Sequence, residues 1–183
     1  MSRIGNKPIA IPQEVKVEIN DKSVCVQGPK GKSNLTLHNR ISAHVKDGQL
    51  RVTRLTDAKL DKSLHGLSRA LIFNMIQGVT QGYVKELEIQ GIGYKALVQG
   101  ATLTLQLGFS HPVIFQIPEG IQIEAPKHTH IIVRGIDKEK VGEITAEIRA
   151  VCPPEPYKGK GIRYKGEYVK KKVGKAQATG GGK

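Results

Sequence analysis

A change of hydrophobic period that happens twice sets the tightest limit on how this chain folds. Val15, Val17 and Ile19 alternate with Lys16 and Glu18, and the pairs Val24/Val26, Leu35/Leu37 and Leu50/Val52 repeat the period of two. Such alternation puts one face of a strand in a core and the other in water, as in antiparallel sheets. Asp47-Gly48 separates two of these runs and suits a hairpin turn. The period then lengthens. Leu60, Leu64, Leu67, Leu71 and Met75 follow at helical steps, which predicts one apolar helix face. Asp57 is the expected N-cap of that helix, and Gly78 and Gly82 mark its expected end. Strand period returns with Leu87 and Ile89 among glutamates, and with Leu103, Leu105 and Leu107 among Thr102, Thr104 and Gln106. Pro118-Glu119-Gly120 reads as a turn before Ile121 and Ile123, and Ile131 to Val133 as another strand. Asp137 opens a second helix that turns Val141, Ile144, Ile148 and Val151 inward, and Pro153-Pro154 stops it.

The two halves therefore share one order, several strands and then a helix, and a single constant offset superimposes them. Gly28 falls on Gly108, Leu37 on Ile117, Asp57 on Asp137, Leu64 on Ile144, Arg69 on Arg149 and Ala70 on Ala150. The expected fold class is α+β: two similar domains, each a mostly antiparallel sheet packed against one helix. They span residues 1–82 and 83–156, and residues 157–183 form a basic C-terminal extension. That extension has neither period and is rich in glycine and lysine, so by itself in water it is expected to be disordered.

The charge follows the same division. The 183-residue chain has a net charge of +13, with 13 basic and 6 acidic side chains in 1–82, 7 and 9 in 83–156, and 9 and 1 in 157–183. The excess lies in the first half and the tail. Polyanion binding uses such an asymmetry, because fixed cations displace the counterions condensed on phosphates; a solubility tail is the plainer alternative. No apolar run approaches the roughly 18 residues that span a bilayer, and the start lacks a signal-like apolar stretch, so no membrane partner is expected. Two cysteines, Cys25 and Cys152, exclude a disulfide framework or a four-thiolate zinc site within the chain. Cys25 is expected as a small buried hydrophobe in a strand.

Motifs that imitate enzyme sites fail on context. Gly31-Lys32-Ser33 resembles the end of a phosphate-binding loop, but Val26 stands where the motif needs its first glycine, and a strand pattern follows instead of a helix. Gly91-Ile92-Gly93-Tyr94-Lys95-Ala96 imitates a dinucleotide fingerprint, yet strand period continues beyond it and no acid lies at the ribose position. The glycines read as a turn or bulge. His128 and His130 lack further ligands nearby and read as an exposed polar loop, and Glu143 and Glu147 lie on the solvent face of the second helix. No catalytic constellation emerges, and no cofactor or metal is implied.

The tail gives a positive signal. Lys158, Lys160, Arg163 and Lys165 interleave with Tyr157, Tyr164 and Tyr168, and Lys170-Lys171-Lys172 follow. Ammonium and guanidinium groups hold phosphates, tyrosine rings offer stacking faces, and Gly159 and Gly161 let a backbone approach closely. Arg3, Lys7, Lys30 and Lys32 are weaker candidates of the same kind, and Arg69 faces RNA or pairs with an acid. RNA contact is the leading expectation. A nucleoid-type DNA-binding protein, using the same tail without sequence readout, is the rival.

Pro154-Glu155-Pro156-Tyr157-Lys158-Gly159-Lys160-Gly161-Ile162-Arg163-Tyr164 resembles the C-terminal signature of the sixth large-subunit ribosomal protein family, bacterial or plastid type. Ser2-Arg3-Ile4-Gly5-Asn6-Lys7-Pro8-Ile9 is similar to that family's N-terminus, with Asn6 inserted, Gly28-Pro29-Lys30-Gly31 resembles its first-domain turn, and residues 87–94 resemble the start of its second domain. The resemblance implies two related domains and binding to large-subunit rRNA, chiefly through the second domain and tail. It also implies a location on the ribosome near the sarcin–ricin loop and the stalk base, in bacterial cytoplasm or plastid stroma. Neighbouring ribosomal proteins and translational GTPases are the further partners it implies.

Overall fold

The computed structural model describes residues 3–46 and 48–174, which fall into two compact units. One comprises the chain up to Tyr83 together with Ile136–Lys138, and the other comprises Val84–Gly135 and the chain from Glu139 onward.

The first unit contains β1 (Ile9–Ala10), β2 (Lys16–Asn20), β3 (Ser23–Gly28), β4 (Gly31–Thr36), β5 (Ile41–Lys46), β6 (Gln49–Arg54) and α1 (Lys59–Thr80). Two antiparallel three-stranded sheets form, in the orders β2-β3-β4 and β1-β6-β5. β2, β3, β4 and β6 are strands that the named alternating runs predict, and β1 and β5 add to them. Val24, Val26, Leu50 and Val52 turn inward and meet Ile72, Ile76 and Val79 of α1 in one core. Lys46 pairs with Gln49 across the β5–β6 turn. Asp47, half of the predicted turn, lies outside the described residues.

The buried face of α1 differs from the predicted one. Asp61, His65, Ser68, Ile72, Ile76 and Val79 are buried, while Leu60 and Leu67 are each 54% exposed. The inward stripe is the neighbour of the leucine stripe, one residue on. It carries three polar side chains, and the two titratable ones find partners inside. Thr56 Oγ1 and Arg40 Nη1 donate to the carboxylate of Asp61. The His65 imidazole donates from Nε2 to the Val52 carbonyl (2.8 Å) and accepts at Nδ1 from Arg54 (2.8 Å), since a guanidinium can only donate. Hydroxyl and arginine together hold the Asp61 carboxyl below its ordinary value, against the opposing effect of burial.

Two local expectations at the helix ends also change. Asp57 does not cap α1; Ala58 is the cap residue, and Asp57 accepts instead from Arg54 (2.7 Å), an ion pair that lowers its pKa. Gly82, at φ +72°, follows the cap residue Gln81 as expected, but Gly78 lies inside the last turn, where the carbonyl of Ile136 leaves no room for a Cβ.

The second unit contains β7 (Tyr83–Gln90), β8 (Lys95–Gln99), β9 (Thr102–Gln106), β10 (Val113–Gln116), β11 (Ile121–Lys127), β12 (His130–Gly135), α2 (Lys138–Val151) and β13 (Gly161–Tyr164). Its sheets run β10-β9-β8 and β11-β12-β7-β13. The offset that sets Gly28 on Gly108 carries β2 onto β8, β3 onto β9, β4 onto β10, β5 onto β11, β6 onto β12 and α1 onto α2. The chain is thus an α+β fold of two similar units. Leu87, Ile89, Leu103, Leu105, Ile123, Ile131, Val133, Val141 and Ile148 are buried, as the periods predict. On α2 the fully inward positions are Val141, Thr145 and Ile148, with Ile144 only half-buried, and Thr145 satisfies its hydroxyl on the Val141 carbonyl.

Cys25 is half-buried, not buried, because on β3 it faces away from Val24 and Val26. Burial pushes the Cys152 thiol up. Among the described residues, no helix is long and apolar enough to cross a membrane.

Candidate nucleic-acid interface

The largest departure from expectation is β13. Residues 161–164, predicted as part of a disordered tail, pair antiparallel with β7 in the register Gly161↔Gln90, Ile162↔Ile89, Arg163↔Glu88 and Tyr164↔Leu87. Alternation explains it. Ile162 is fully buried on the inner face beside Leu87 and Ile89, while Arg163 and Lys165 point outward. The glutamates of β7 alternate in the same way and meet them. Arg163 donates to Glu88 (3.0 Å) and Lys165 to Glu86 (2.7 Å), and His130 Nε2 lies 3.1 Å from the same Glu86 oxygen.

The connection from α2 is a closed loop. Ile162 N–H donates to the Cys152 carbonyl (2.7 Å), and Glu155 N–H to the Lys160 carbonyl (2.9 Å). Gly161 makes this closure possible. Its φ is +134°, and a Cβ there would stand 2.6 Å from the Pro153 oxygen, so any side chain would push the loop off the strand. Gly161→Ala is expected to destabilise the second unit by about 1–3 kcal/mol, from strain at a special backbone position, as read by chemical denaturation. Beyond β13, Glu167 takes the Arg149 guanidinium (3.0 and 2.5 Å) and the Tyr164 N–H (2.9 Å). The Tyr164 ring packs between Arg149 and Lys85, 5.7 and 5.6 Å from its centroid. The chain then returns, and Lys172 N–H donates to the Pro156 carbonyl (2.7 Å).

These bonds sort the predicted cations. Arg163 and Lys165 are consumed by β7 glutamates and hold the strand in place. Among the described residues, Lys158, Lys160, Lys170, Lys171 and Lys172 are exposed and take part in no ion pair. The Lys172–Pro156 bond brings the lysine run back beside the loop that carries Lys158 and Lys160. Tyr157, 58% exposed, stands in that loop, and Gly159 is buried under it.

In the first unit, Arg3, Lys7 and Lys32 are not buried. Lys30 caps α1 instead: its N–H donates to Val79 and its ammonium to the Gln81 carbonyl, where a cation complements the helix C-terminus. Arg69 faces neither an acid nor solvent alone; it donates to the Lys7 carbonyl (3.2 Å) and lies over Phe73. Sequence reasoning misses Glu86, Glu88, Arg149 and Glu167. Acids two apart on β7 and bases two apart at 163 and 165 are the complementary signal that finds the first pair.

The clasp is acid-sensitive. Lys165 and the partners of Glu167, Arg149 foremost, hold both carboxyls below the ordinary 4.5. A depressed carboxyl adds stability that is complete above its unfolded value and is lost as pH falls through the lower folded one. Amide protection of residues 162–165 is therefore expected to be constant at neutral pH and to fall only below about pH 4.5, as followed by hydrogen exchange.

The rejected motifs stay rejected by geometry. Gly31–Thr36 is strand and residues 91–94 form the β7–β8 turn, so neither presents a helix N-terminus. Among the described residues, no three metal-ligating side chains gather.

The profile of the family described as ribosomal protein L6 matches residues 11–82 and 90–165, one match in each unit. The chain belongs to the ribosomal protein L6 family. The second match ends at residue 165, so the family pattern includes β13 and the lysine that pins it. A large ribosomal subunit protein uL6 from Rubrobacter xylanophilus is 53% identical over 176 residues, 96% of this chain and 99% of that protein. The uL6 of Natranaerobius thermophilus is 54% identical over 175 residues, covering 96% and 98%. That of Moorella thermoacetica is 52% identical over the full length of both chains. Members of this family are ribosomal proteins and not enzymes, and so is this chain.

Proposed function

We propose that this protein binds large-subunit, 23S-type rRNA and stabilises its tertiary structure near the sarcin–ricin loop and the region where translation factors dock. Neighbouring large-subunit proteins, including those of the stalk base, and translational GTPases are its proposed protein partners. Its place is the ribosome of a bacterial cytoplasm or plastid stroma. The observation that carries this reading is the division among the tail cations: two fix the strand, and five form no ion pair among the described residues. The proposed RNA-binding extension is 157–183; Tyr157, Lys158, Lys160 and Lys170–Lys172 are its proposed direct contacts, while Gly159, Gly161, Arg163, Tyr164 and Lys165 shape and anchor the loop and strand that present them. Arg3, Lys7, Lys30 and Lys32 are secondary. The exposed ammonium groups neutralise phosphates, and the Tyr157 ring stacks on an unpaired base. A surface ordered in advance gives up less entropy on binding than a disordered arm.

The discriminating experiment is competition at matched salt between a large-subunit rRNA fragment and duplex DNA. Retention of the RNA complex is expected; equal preference supports the nucleoid-type rival. Tyr157→Ala is expected to cost about 1–3 kcal/mol of RNA affinity if a base stacks there, with folding unchanged by circular dichroism.

A further inference from the structure

We propose that the outer face of the sheet β1-β6-β5 in the first unit is a further RNA-binding surface, one that holds the sugar–phosphate backbone without reading bases. The proposal deepens the rRNA reading above and rests on it, adding a second grip far in sequence from the C-terminal segment.

The alternation that buries Ile41, Ala43, Leu50 and Val52 turns Ser42, His44, Lys46, Gln49, Arg51 and Thr53 to the opposite face, where each is exposed. The register sets Ser42 opposite Thr53, His44 opposite Arg51 and Lys46 opposite Gln49, and Ala10 of β1 lies beside Gln49. One hairpin thus presents a guanidinium, an ammonium and an imidazole on one side. Among the described residues, none of the three takes part in an ion pair. The acids of this unit are engaged or lie elsewhere. Glu14, Glu18 and Asp21 stand in or beside β2, and Asp57 and Asp61 are taken by Arg54 and Arg40. Asp47, the remaining acid, lies outside the described residues.

Opposite charges across neighbouring strands stabilise a sheet, and the second unit uses them. On or beside its sheet β11-β12-β7-β13, Arg134 meets Glu124 (3.5 Å), Arg163 meets Glu88 (3.0 Å) and Lys165 meets Glu86 (2.7 Å). β11 and β12 correspond to β5 and β6, so one topology carries a face whose charges are matched internally and a face whose cations lack an anion. A phosphate supplies that anion. Arginine and lysine, with serine, threonine and glutamine as hydrogen-bonding neighbours, are the side chains that position a nucleic-acid backbone, and an imidazole N–H donates to a phosphate oxygen in either charge state. The composition of the face disfavours a protein partner. Ala10 is its one apolar side chain among these residues, whereas the centre of a protein interface is apolar or aromatic and poor in charge. Without an aromatic ring the face has no platform for a base, so it reads backbone and shape.

The test measures binding of the full-length chain to a full-length large-subunit rRNA transcript over a series of salt concentrations. Lys46→Gln with Arg51→Gln is expected to lower affinity at low salt about tenfold and to flatten the slope of log K against log salt by about 1.4–1.8, as for two phosphate contacts. Lys16→Gln with Lys22→Gln removes the same charge from exposed positions on and beside β2 and is expected to leave the slope unchanged. Both pairs should keep the unfolding midpoint of the parent, since no ion pair is lost. A photo-crosslinking residue at Gln49, between Ala10 and Lys46, is expected to join to RNA in purified large subunits. Equal loss in the two pairs, a slope that Lys46 and Arg51 do not move, or a position 49 that cross-links to protein or to nothing overturns the proposal and leaves the tail reading standing. A parent chain that binds the transcript no better than duplex DNA overturns the rRNA reading itself, and this proposal with it.

Discussion

Removing residues 157–183 is expected to destabilise the second unit severely, whereas removing 173–183, which leaves the Lys172–Pro156 bond in place, should leave its unfolding midpoint where it was. The difference lies in β13. Ile162 is fully buried beside Leu87 and Ile89, and its strand completes the edge of a four-stranded sheet. Truncating a buried isoleucine to alanine costs about 2–5 kcal/mol. For a unit of this size each kcal/mol moves the midpoint by about 4–8 °C. Ile162→Ala is therefore expected to lower the transition of the second unit by about 8–40 °C, and the longer truncation by more. The ion pairs at Glu86 and Glu88 involve half-exposed side chains and contribute only fractions of a kcal/mol each. Calorimetry of the two truncations and of I162A separates these contributions. A 157–183 deletion that melts with the full chain contradicts the assignment of the strand.

The second large effect concerns RNA. Replacing Lys158, Lys160, Lys170, Lys171 and Lys172 by Gln removes the cations that have no acidic partner among the described residues. Stability should not change, since no ion pair goes with them. Affinity for a large-subunit rRNA fragment should fall steeply at low salt. The slope of log K against log salt should flatten by roughly 0.7–0.9 for each phosphate no longer neutralised, about 3.5–4.5 if all five lysines touch phosphate. Arg163→Gln with Lys165→Gln should act the other way round, loosening β13 and changing the slope little. Salt titrations of both variants read the distinction, and an unchanged slope in the five-lysine variant removes those lysines from the interface.

Much of this architecture is legible in the residues. Period-two alternation places the strands around Val24, Leu50, Leu103 and Ile131, and the offset that sets Gly28 on Gly108 pairs them correctly. Other features are not legible, for physical reasons. The leucine stripe of α1 is the more hydrophobic face, yet Asp61, His65 and Ser68 go inside beside it. Thr56, Arg40, Arg54 and the Val52 carbonyl satisfy the first two. Hydropathy counts side chains one at a time and does not see partners supplied by other strands. Asp57 has the chemistry of a cap but is taken by Arg54. Composition hides β13: lysines and glycines around Ile162 suggest disorder until Glu86 and Glu88, far earlier in the chain, are seen to match Lys165 and Arg163. The exposed cations, by contrast, are visible as such. What the sequence does not show is the loop closure at Cys152 and the Lys172–Pro156 bond that gather them.

The central claim is that the C-terminal basic segment is built into its unit before any RNA arrives. Hydrogen exchange of the Ile162 amide in the RNA-free chain tests it most directly, since that N–H is held by the Cys152 carbonyl. Protection matching that of the Ile89 amide in the neighbouring strand, unaltered by added rRNA, is the predicted result. Exchange at the rate of an unstructured peptide until RNA is added would contradict it.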